Sequence, residues 1–395
     1  MHNLTKIKLF RIVCWMVYPI ALVVIYPFVL FQKKKETNLF FFFDRYVIGG
    51  AQRIHLDILH AIEEKFKYVF FTRKSDNDAL KNSFYHIPNT KSADIHIWCD
   101  YLLLRPFTVH YYAFVLNRQN NPHVFGSNST FFYDLLPFLK KNIKKTELLH
   151  NFTHGKNGME YFGLANHQLL TNRIIYDSFT HSNIKLQYKK YNIPQVFEDK
   201  LLFIEPGVDI PEYEPKRHSL PLKILYAGRG GDQKRIPLLN AIAETCINNK
   251  WEVEFHFAGT MIEELTPFIK STAVIHGAIS NKEDMNALYK LAHVILMTSA
   301  YEGFPMLIKE SMSFGCVPVV TALEGNKMHL KDDQNALLIN NIENPESVIQ
   351  QGIDKLQLLI SDASRYNDLS DHAYEYARNN FSKQKFIAGY RKLLI

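Results

Sequence analysis

Two carboxylates and two cations in the second half of the chain have the types and spacing needed to hold a sugar and a diphosphate. Glu302 and Glu310 stand eight residues apart in EGFPMLIKE, and GRGGDQKR places Arg229 and Lys234 directly after an apolar run. Carboxylates accept hydrogen bonds from sugar hydroxyls, whereas a guanidinium and an ammonium suit diphosphate oxygens. For the carboxylate pair alone, two solvated glutamates on an ordinary helix are the favoured explanation, so the elements that position these groups decide the interpretation.

The stretch from Thr298 to Thr321, together with the apolar run His293–Met297 before it, predicts a strand, a loop, a helix and a second strand. Gly303 permits a tight turn, and Pro305 suits the first position of a helix. Glu302 then lies in the loop and Glu310 two turns into the helix, so both can border one pocket. Backbone N–H groups at the start of the helix also favour an anion.

The rest of the second half alternates predicted strands with helices, which indicates a doubly wound parallel sheet. The predicted strands are Leu222–Ala227, Glu252–Ala258, Ala273–His276, His293–Met297, Val317–Val320 and Ala336–Ile339. Because the carboxyl ends of parallel strands meet at one edge, we expect Arg229, Lys234 and Glu302 to gather there.

The first half predicts another parallel sheet, with a ligand site at its carboxyl edge. Its predicted strands are Leu39–Phe43, Tyr68–Phe71, Asp94–Cys99, His123–Gly126, Glu147–His150, Asn172–Tyr176 and Leu201–Ile204. Gly49 and Gly50 follow the first strand and allow a ligand to approach the backbone, although plain turns also use glycine. His150 ends a strand where open α/β sheets bind ligands, but a single histidine is more often structural.

Two further stretches of the first half shape its expected organisation. Phe131–Lys145 has apolar residues at helical spacing and ends in lysines, which predicts a basic amphipathic helix. Such a helix fits an anionic lipid surface or a solvated helix end. The proline-rich segment Glu205–Pro221 predicts a linker between two domains.

The N-terminus departs from a soluble pattern. Twenty uncharged residues from Ile12 to Phe31 are enough to cross a bilayer. No small-residue cleavage site follows, so we predict a retained anchor and not a removed signal peptide. Pro19 and Pro27 leave a kinked or re-entrant segment open, and a buried core helix is the other interpretation. Basic residues flank both ends, so they do not predict an orientation.

Length and composition bound the remaining possibilities. A chain of 395 residues is long enough for two domains. The net charge of +7 fits an anionic partner such as a nucleotide or a membrane surface, and is too small to argue for nucleic acid. The four cysteines have no paired spacing, which indicates a reducing compartment without a disulfide framework.

Taken in order, these motifs resemble those of the retaining glycosyltransferases of family 4, also called group 1, which have the GT-B fold. The resemblance rests on Gly228, Arg229 and Lys234, on Glu302 and Glu310 followed by GCVPVV, on PGVD at 206–209, and on Gly49 and Gly50. It covers nearly everything after the anchor and is strongest from 224 to 340. Departures are Lys309, where an apolar residue is usual, and LEGNK at 323–327, where a glycine-richer turn is common.

This resemblance implies an α/β chain with two Rossmann-like, doubly wound domains facing a cleft, preceded by a hydrophobic anchor helix. Residues 1–36 would be the membrane anchor and 37–205 the acceptor-binding domain. Residues 206–377 would bind the nucleotide-sugar, and a C-terminal helix at 378–395 would cross back to the first domain.

The resemblance also implies roles for individual residues. Arg229 and Lys234 would neutralise the departing diphosphate, Glu302 would contact the donor sugar, and His150 would lie near the reacting sugar; these four are the expected catalytic residues. The expected donor-binding residues are Gly228, Arg229, Lys234, Gly277, Ala278, Ile279, Glu302, Gly303, Phe304, Pro305, Met306, Leu307 and Glu310. The expected acceptor-binding residues are Gly49, Gly50 and His154.

The implied activity is retaining transfer of a hexosyl group from a nucleotide-sugar, with UDP favoured over GDP. The expected acceptor is a glycan or a lipid-linked glycan in cell-surface polysaccharide synthesis. No metal or other cofactor is expected, and the expected partners are donor, acceptor and membrane lipid but not nucleic acid. The expected location is the bacterial inner membrane, with the catalytic domains in the cytoplasm.

Three alternatives stay open at this point. A nucleotide-sugar epimerase can share the fold, and a membrane scaffold can bind a nucleotide without catalysis. A metal-dependent transferase would use an Asp-x-Asp pair, for which Asp76-Asn77-Asp78 is a candidate.

Overall fold

The computed structural model describes residues 3–35, 37–153 and 158–395. The chain divides into two units, the first formed by 1–205 with 386–395 and the second by 206–385. Both are described here separately, beginning with their sheets, since the sheet edges position the candidate site.

The first unit is built on a parallel sheet whose central strand is unusually aromatic. Its strands are β1 Leu39–Phe43, β2 Lys67–Phe71, β3 Thr90–Asp94, β4 His123–Ser127, β5 Lys144–Leu148, β6 Asn172–Ile175 and β7 Leu201–Phe203. They are ordered β3-β2-β1-β4-β5-β6-β7, and each neighbouring pair is parallel. All five residues of the LFFFF strand are buried, as expected for a strand covered on both faces.

Helices cover this sheet and extend along the N-terminus. They are α1 Asn3–Val24, α2 Tyr26–Phe31, α3 Gly50–Ala61, α4 Lys81–Tyr85, α5 His96–Asp100, α6 Arg105–Asn117, α7 Thr130–Leu135, α8 Glu160–Ala165 and α9 Ser178–Lys190. Short 3₁₀ turns occur at Leu136–Phe138 and Gln195–Lys200.

The second unit has its own parallel sheet, ordered β10-β9-β8-β11-β12-β13. Its strands are β8 Leu222–Gly228, β9 Val253–Gly259, β10 Val274–Gly277, β11 Val294–Met297, β12 Val317–Thr321 and β13 Leu337–Ile339. Its helices are α10 Ile236–Asn248, α11 Pro267–Thr272, α12 Lys282–Leu291, α13 Met306–Met312, α14 Glu324–Lys327, α15 Pro345–Ser361 and α16 Ala363–Asn380, with a 3₁₀ turn at Ile262–Glu264. The predicted α/β fold with two doubly wound parallel sheets is confirmed.

The predicted strand Asp94–Cys99 is wrong. The strand is β3, which ends at Asp94, and the apolar residues after it form α5. β3 is the edge strand of its sheet, and its residues TKSAD are half-buried or exposed. Because an edge strand buries little surface, its hydrophobic pattern is weak, and the apolar run beside it misleads the prediction.

The predicted basic helix Phe131–Lys145 is also wrong. α7 ends at Leu135, a 3₁₀ turn that contains Pro137 follows, and Lys145 belongs to β5. The Lys145 ammonium is buried and donates to the carbonyls of Lys140 at 2.7 Å and Ile143 at 2.9 Å. Burial lowers the pKa of Lys145 to about 8. The residue therefore stabilises a turn and does not form part of a basic helical surface.

The N-terminal apolar stretch forms two helices. Leu4–Val24 is long and apolar enough to cross a membrane, judged by length and composition. A core helix or a signal sequence meets the same criterion, so the anchor stays a prediction. α1 ends at Val24, and α2 begins at Tyr26 with Pro27 in its first turn.

The helix expected at 378–395 is interrupted: 378–380 are the end of α16, and a final helix, α17 Lys383–Leu394, begins after Phe381 and Ser382. Residues 386–395 belong to the first unit. There α17 buries Tyr390, and its Arg391 lies 2.6 Å from the Glu64 carboxylate.

Candidate functional site

The carboxyl ends of β8 and β9 approach each other closely at the edge of the second sheet. The amide N–H of Thr260 donates to the carbonyl of Gly228 at 3.2 Å. A Cβ on Gly259, whose φ is 129°, would lie 1.7 Å from that carbonyl oxygen. Only glycine permits this approach, which brings the loops that follow the two strands together.

The loop after β8 is held by side chains that sequence reasoning did not identify. The Tyr226 hydroxyl donates to the carbonyl of Arg229 at 2.7 Å, and the Glu264 carboxylate accepts from the amide of Gly231 at 2.7 Å. The Arg229 side chain is exposed and donates to Gln233 Oε1 at 3.0 Å. Hydrogen bonds with Tyr226 and Glu264 thus fix the loop backbone, while the Arg229 guanidinium faces solvent at the edge of the sheet.

Lys234 and Glu302, predicted to share one edge, form an ion pair. Their side chains are 13% and 12% exposed, so this contact is largely shielded from water. Gln233 strengthens the junction, because its Nε2 donates to the carbonyl of Tyr301 at 2.9 Å. An ammonium and a carboxylate from residues 68 positions apart are therefore held together at this edge of the sheet.

Arg235, the residue after Lys234, has a structural role that the sequence did not indicate. Its guanidinium donates to the carbonyls of Thr298 at 2.6 Å, Ser299 at 3.2 Å and Ile342 at 2.7 Å. Its backbone adopts the left-handed conformation, with φ at 51°, and burial lowers the pKa of its guanidinium. Of the two adjacent cations, Lys234 meets Glu302 and Arg235 ties the loop after β11 to the loop after β13.

Glu310 lies in α13 as expected, and its carboxylate is oriented by Tyr289. The buried Tyr289 hydroxyl donates to Glu310 Oε2 at 2.6 Å. Tyr289 belongs to α12, 21 residues earlier in the chain, so the sequence pattern around Glu310 did not point to it. This hydrogen bond fixes the orientation of the Glu310 carboxylate.

The loop that carries Glu302 rests directly on the segment LEGNK. A Cβ on Gly325 would lie 1.4 Å from the carbonyl oxygen of Gly303 and 3.1 Å from that of Glu302. Within the same segment, the Asn326 side chain donates to the carbonyl of Thr321 at 2.8 Å. The segment that departs from the family pattern therefore supports the loop with the one glycine that the contact requires.

The remaining predicted donor residues differ in whether their side chains are accessible or buried. Phe304 is 7% exposed and its ring lies 4.4 Å from that of His329, so only its backbone is available to a ligand. Pro305 precedes α13, and Met306 and Leu307 form its first turn. Gly277 ends β10 with φ at 69°, followed by exposed Ala278 and half-buried Ile279.

Lys309, the other departure from the family pattern, points into the core. Its side chain is 2% exposed, and its ammonium donates to the carbonyl of Pro206 at 3.0 Å. The same ammonium lies 5.5 Å from the Phe304 ring and 5.0 Å from the Phe381 ring. Lys309 therefore secures the start of the second unit.

In the first unit, His150 lies just past the end of β5 within a buried polar network. Its Nε2 lies 3.0 Å from His55 Nε2 and 2.9 Å from the Ser127 hydroxyl, and its Nδ1 lies 3.3 Å from the Tyr176 hydroxyl. Burial lowers the pKa of His150 to about 3, and burial followed by the nearness of His150 lowers the pKa of His55 well below its usual value. His150 is therefore a neutral hydrogen-bonding group at physiological pH.

His55 and Asp44 are candidate residues that sequence reasoning missed. His55 in α3 stacks on Phe43 with ring centroids 4.0 Å apart, and its Nδ1 is buried without a hydrogen-bond partner in the described part of the chain. Asp44 follows β1, and its Oδ1 is likewise buried and unpaired there. Burial raises the pKa of Asp44, although Arg45 lies 3.7 Å away.

Two of the predicted acceptor residues lie at the start of α3, the helix that carries His55. Gly49 caps α3 and Gly50 begins it, and a Cβ on Gly50 would meet no heavy atom within 4 Å. His154 lies outside the described residues. The backbone at the start of α3 is thus open to approach by another molecule.

The Asp-x-Asp candidate is engaged in surface ion pairs. Asp76 lies 2.6 Å from the Arg45 guanidinium and Asp78 lies 3.6 Å from the Lys81 ammonium. Within residues 3–35, 37–153 and 158–395, no group of three histidine, cysteine or acidic side chains is arranged to hold a metal. Nothing in its contacts distinguishes this triplet from a solvated loop.

Sequence comparisons show what the second unit is similar to. Residues 221–357 match the family model described as Glycosyl transferases group 1. An uncharacterised glycosyltransferase of Methanocaldococcus jannaschii is 27% identical over 216 residues, which cover 50% of this chain and 51% of that protein. A Campylobacter jejuni protein, GalNAc-alpha-(1->4)-GalNAc-alpha-(1->3)-diNAcBac-PP-undecaprenol alpha-1,4-N-acetyl-D-galactosaminyltransferase, is 26% identical over 160 residues, or 40% of this chain and 43% of that protein. The chain spans about half the length of these curated relatives, or less.

Structural comparisons cover both units. HepE of Anabaena in complex with UDP-glucose is similar with a TM-score of 0.68 at 14% identity, over 90% of this chain and 98% of that one. The apo form of the lipopolysaccharide outer core galactosyltransferase WaaB is similar with a TM-score of 0.64 at 17% identity, again over 90% and 98%. The chain has the GT-B fold, and within it residues 221–357 match the model of the group 1 glycosyl transferases.

Proposed function

We propose that this protein is a retaining, family 4 glycosyltransferase that moves a sugar from a nucleotide-sugar to a glycan or lipid-linked glycan in cell-surface polysaccharide synthesis. The observation that carries the proposal is the shielded contact between Lys234 and Glu302 at the carboxyl edge of the second sheet, inside the group 1 domain. Arg229 at the same edge and Glu310 on α13 complete the set of groups that a sugar diphosphate needs.

In this proposal the bond between the anomeric carbon and the diphosphate oxygen breaks, and its electrons go to the diphosphate. Arg229 and Lys234 meet that developing charge, and such preorganised donors lower the barrier without a metal. The acceptor hydroxyl attacks the same face of the sugar and gives its proton to the departing diphosphate. Glu302 positions the sugar, Glu310 holds the ribose, and neutral His150 hydrogen-bonds near the reacting sugar.

We favour a UDP-sugar as the donor, with a GDP-sugar as the second choice. Similar structures contain UDP or UDP-glucose, as the HepE complexes do. The Campylobacter jejuni relative is named for an acceptor on undecaprenyl diphosphate, which supports a lipid-linked acceptor and a place at the bacterial inner membrane with the catalytic domains in the cytoplasm.

The first experiment tests whether Glu302 and Arg229 are required for sugar transfer. Glu302→Ala and Arg229→Ala should each lower kcat/KM by about 100- to 1,000-fold, because the first removes the group that positions the donor sugar and the second removes a cation that stabilises the departing diphosphate. The donor is first chosen from UDP-, GDP- and ADP-sugars by the rise in unfolding midpoint that each one causes. Transfer is then measured as labelled product with and without a chelator.

The matched control for this experiment is Arg217→Ala, since Arg217 is an exposed arginine of the same unit whose guanidinium pairs with Asp371 at 3.1 Å. It should retain full transfer. Undiminished activity in Glu302→Ala or Arg229→Ala would refute the site. Loss of activity with the chelator would favour a metal-dependent enzyme. Conversion of the donor in the absence of an acceptor would favour an epimerase. Binding of the donor without any product would favour a non-catalytic scaffold.

A further inference from the structure

The N-terminal helix lies along the first unit and presents an apolar outer side. α1 buries Ile7, Cys14 and Ala21, which stand seven residues apart and so share one face of a helix. On the outer side Met16 is 72% exposed and Val23 is 74% exposed. The apolar sequence of α1 is therefore divided between a face that packs on the protein and a face that nothing in the described chain covers.

Contacts to the first unit are spread along the whole of α1. The Arg11 guanidinium donates to Asn166 Oδ1 at 2.9 Å, and His110 Nε2 lies 2.8 Å from the carbonyl oxygen of Cys14. Further along, the Tyr18 ring lies 6.1 Å from that of Phe114. A helix that left the unit to cross a bilayer would lose all of these contacts, so the packing favours a helix that stays on the surface.

A second exposed apolar segment, residues 97–104, lies next to α1. Within it Trp98 is 56%, Leu102 is 73% and Leu103 is 84% exposed. It leads into α6, which packs against α1, and the Arg105 guanidinium at the start of α6 lies 5.5 Å from the Phe10 ring. Two apolar surfaces from distant parts of the sequence thus adjoin, and soluble monomers rarely expose large contiguous apolar patches.

The charge around this surface suits an anionic bilayer. The first 35 residues contain six basic residues and no aspartate or glutamate. Lys6 and Lys8 at one end of the helical segment are exposed, and so are Lys33 and Lys34 at the other. An apolar surface with lysines at both ends matches acyl chains bordered by anionic headgroups.

We propose that α1, α2 and residues 97–104 form a membrane-insertion face, which enters one leaflet of an anionic phospholipid bilayer with α1 parallel to the bilayer plane. The lysines at its ends bind phospholipid headgroups. This inference rests on the membrane location proposed above and defines how the chain attaches: on the surface of one leaflet, without crossing it. Attachment in this way would hold the first unit beside a lipid-linked acceptor.

Vesicle flotation of the full chain tests attachment. The wild type should float with vesicles that contain phosphatidylglycerol more strongly than with neutral vesicles, by about fivefold for each lysine that reaches the surface. Leu102→Asp combined with Leu103→Asp should weaken binding at least about tenfold, since two exposed leucines no longer enter the lipid. Val196→Asp is the matched control, because Val196 is 64% exposed near β7, at the other edge of the sheet from β3.

Transfer to a water-soluble acceptor separates this inference from the proposed function. The double aspartate variant should keep that activity while losing flotation. Unchanged flotation of the variant would overturn the insertion face but leave the enzyme intact. Absence of transfer in the wild type, with flotation intact, would overturn the proposed function and leave the insertion face standing.

Tryptophan quenching decides the orientation. The chain has three tryptophans, of which Trp15 and Trp98 lie on the proposed face and Trp251 lies in the second unit. In Trp98→Phe combined with Trp251→Phe, which leaves Trp15 as the single indole, lipids brominated near the headgroup should quench it more than lipids brominated near the chain end. Deep quenching of Trp15 would show a spanning helix, and no quenching together with concentration-dependent dimers would show a second copy on this face; either result overturns the proposal.

Discussion

At the scale of single residues, the groups that sequence motifs select are oriented by partners that no motif contains. Glu310 is directed by Tyr289, and His150 by His55 and Ser127. These partners belong to other secondary-structure elements, so only the folded structure shows which side chains they contact. A partner that orients a ligand-binding group should change affinity more than rate.

Tyr289→Phe tests this role. Removing the hydroxyl deprives the Glu310 carboxylate of a 2.6 Å hydrogen bond, and hydrogen bonds to charged groups contribute about 1.5–3 kcal/mol. If Glu310 holds the donor ribose, KM for the donor should rise roughly tenfold while kcat changes little. Steady-state kinetics with varied donor measures both constants.

Tyr374→Phe is the control for that variant. Tyr374 is a buried tyrosine of the same unit whose hydroxyl donates to the carbonyl of Pro211 at 2.9 Å. Tyr374→Phe should lower the free energy of unfolding by a similar amount without changing KM for the donor. An unchanged donor KM in Tyr289→Phe would remove Glu310 from the ribose site.

At the scale of secondary-structure elements, the candidate site depends on how three loops are tied together. Arg235 binds the carbonyls of Thr298 and Ser299 after β11 and of Ile342 after β13. Gly325 lets α14 support the loop that carries Glu302. These contacts fix the positions of the loops that carry Lys234 and Glu302.

Arg235→Lys should loosen this arrangement. A lysine ammonium cannot reach three carbonyls in the planar pattern of a guanidinium, so buried carbonyls lose their donors. We expect the free energy of unfolding to fall by at least about 2 kcal/mol, and transfer to fall with it because Lys234 is displaced. Denaturant unfolding measures the first quantity, and Arg378→Lys at an exposed position is the control. Equal stability of Arg235→Lys and wild type would contradict the role assigned to this residue.

At the scale of the whole molecule, buried neutral histidines make stability depend on pH. Burial lowers the pKa of His150 to about 3 and that of His123 to about 4, against a usual value of 6.5. Below pH 6.5 the unfolded chain binds protons at these positions that the folded chain does not. Their contribution to stability is therefore complete above that pH and is lost progressively as the pH falls toward the folded values.

We expect the free energy of unfolding to be about 2 kcal/mol lower at pH 5 than at pH 8 for each of these two histidines. Calorimetry of the full chain between pH 5 and 8 measures the change. His123→Gln should reduce the pH dependence, whereas His86→Asn, which replaces an exposed histidine, is the matched control. A free energy of unfolding independent of pH over this range would show that these side chains are not buried as neutral rings.

The amino-acid sequence by itself determined the fold class and the edge where the candidate donor groups gather. Alternating apolar runs and helical segments predict parallel sheets, and parallel strands bring the loops after them to one edge. Lys234 and Glu302, 68 residues apart, accordingly meet. The edge strand β3 escaped prediction because it buries little surface, and the turn at Pro137 replaced a predicted helix.

Only the tertiary structure decided which neighbouring side chains serve the site and which serve the core. Adjacent Lys234 and Arg235 have different roles, and Lys309 beside Glu310 is buried against Pro206. Periodicity is a local property and reports which face of an element is apolar. Hydrogen bonds and close backbone approaches join residues far apart in sequence, so they exist only once the elements have packed.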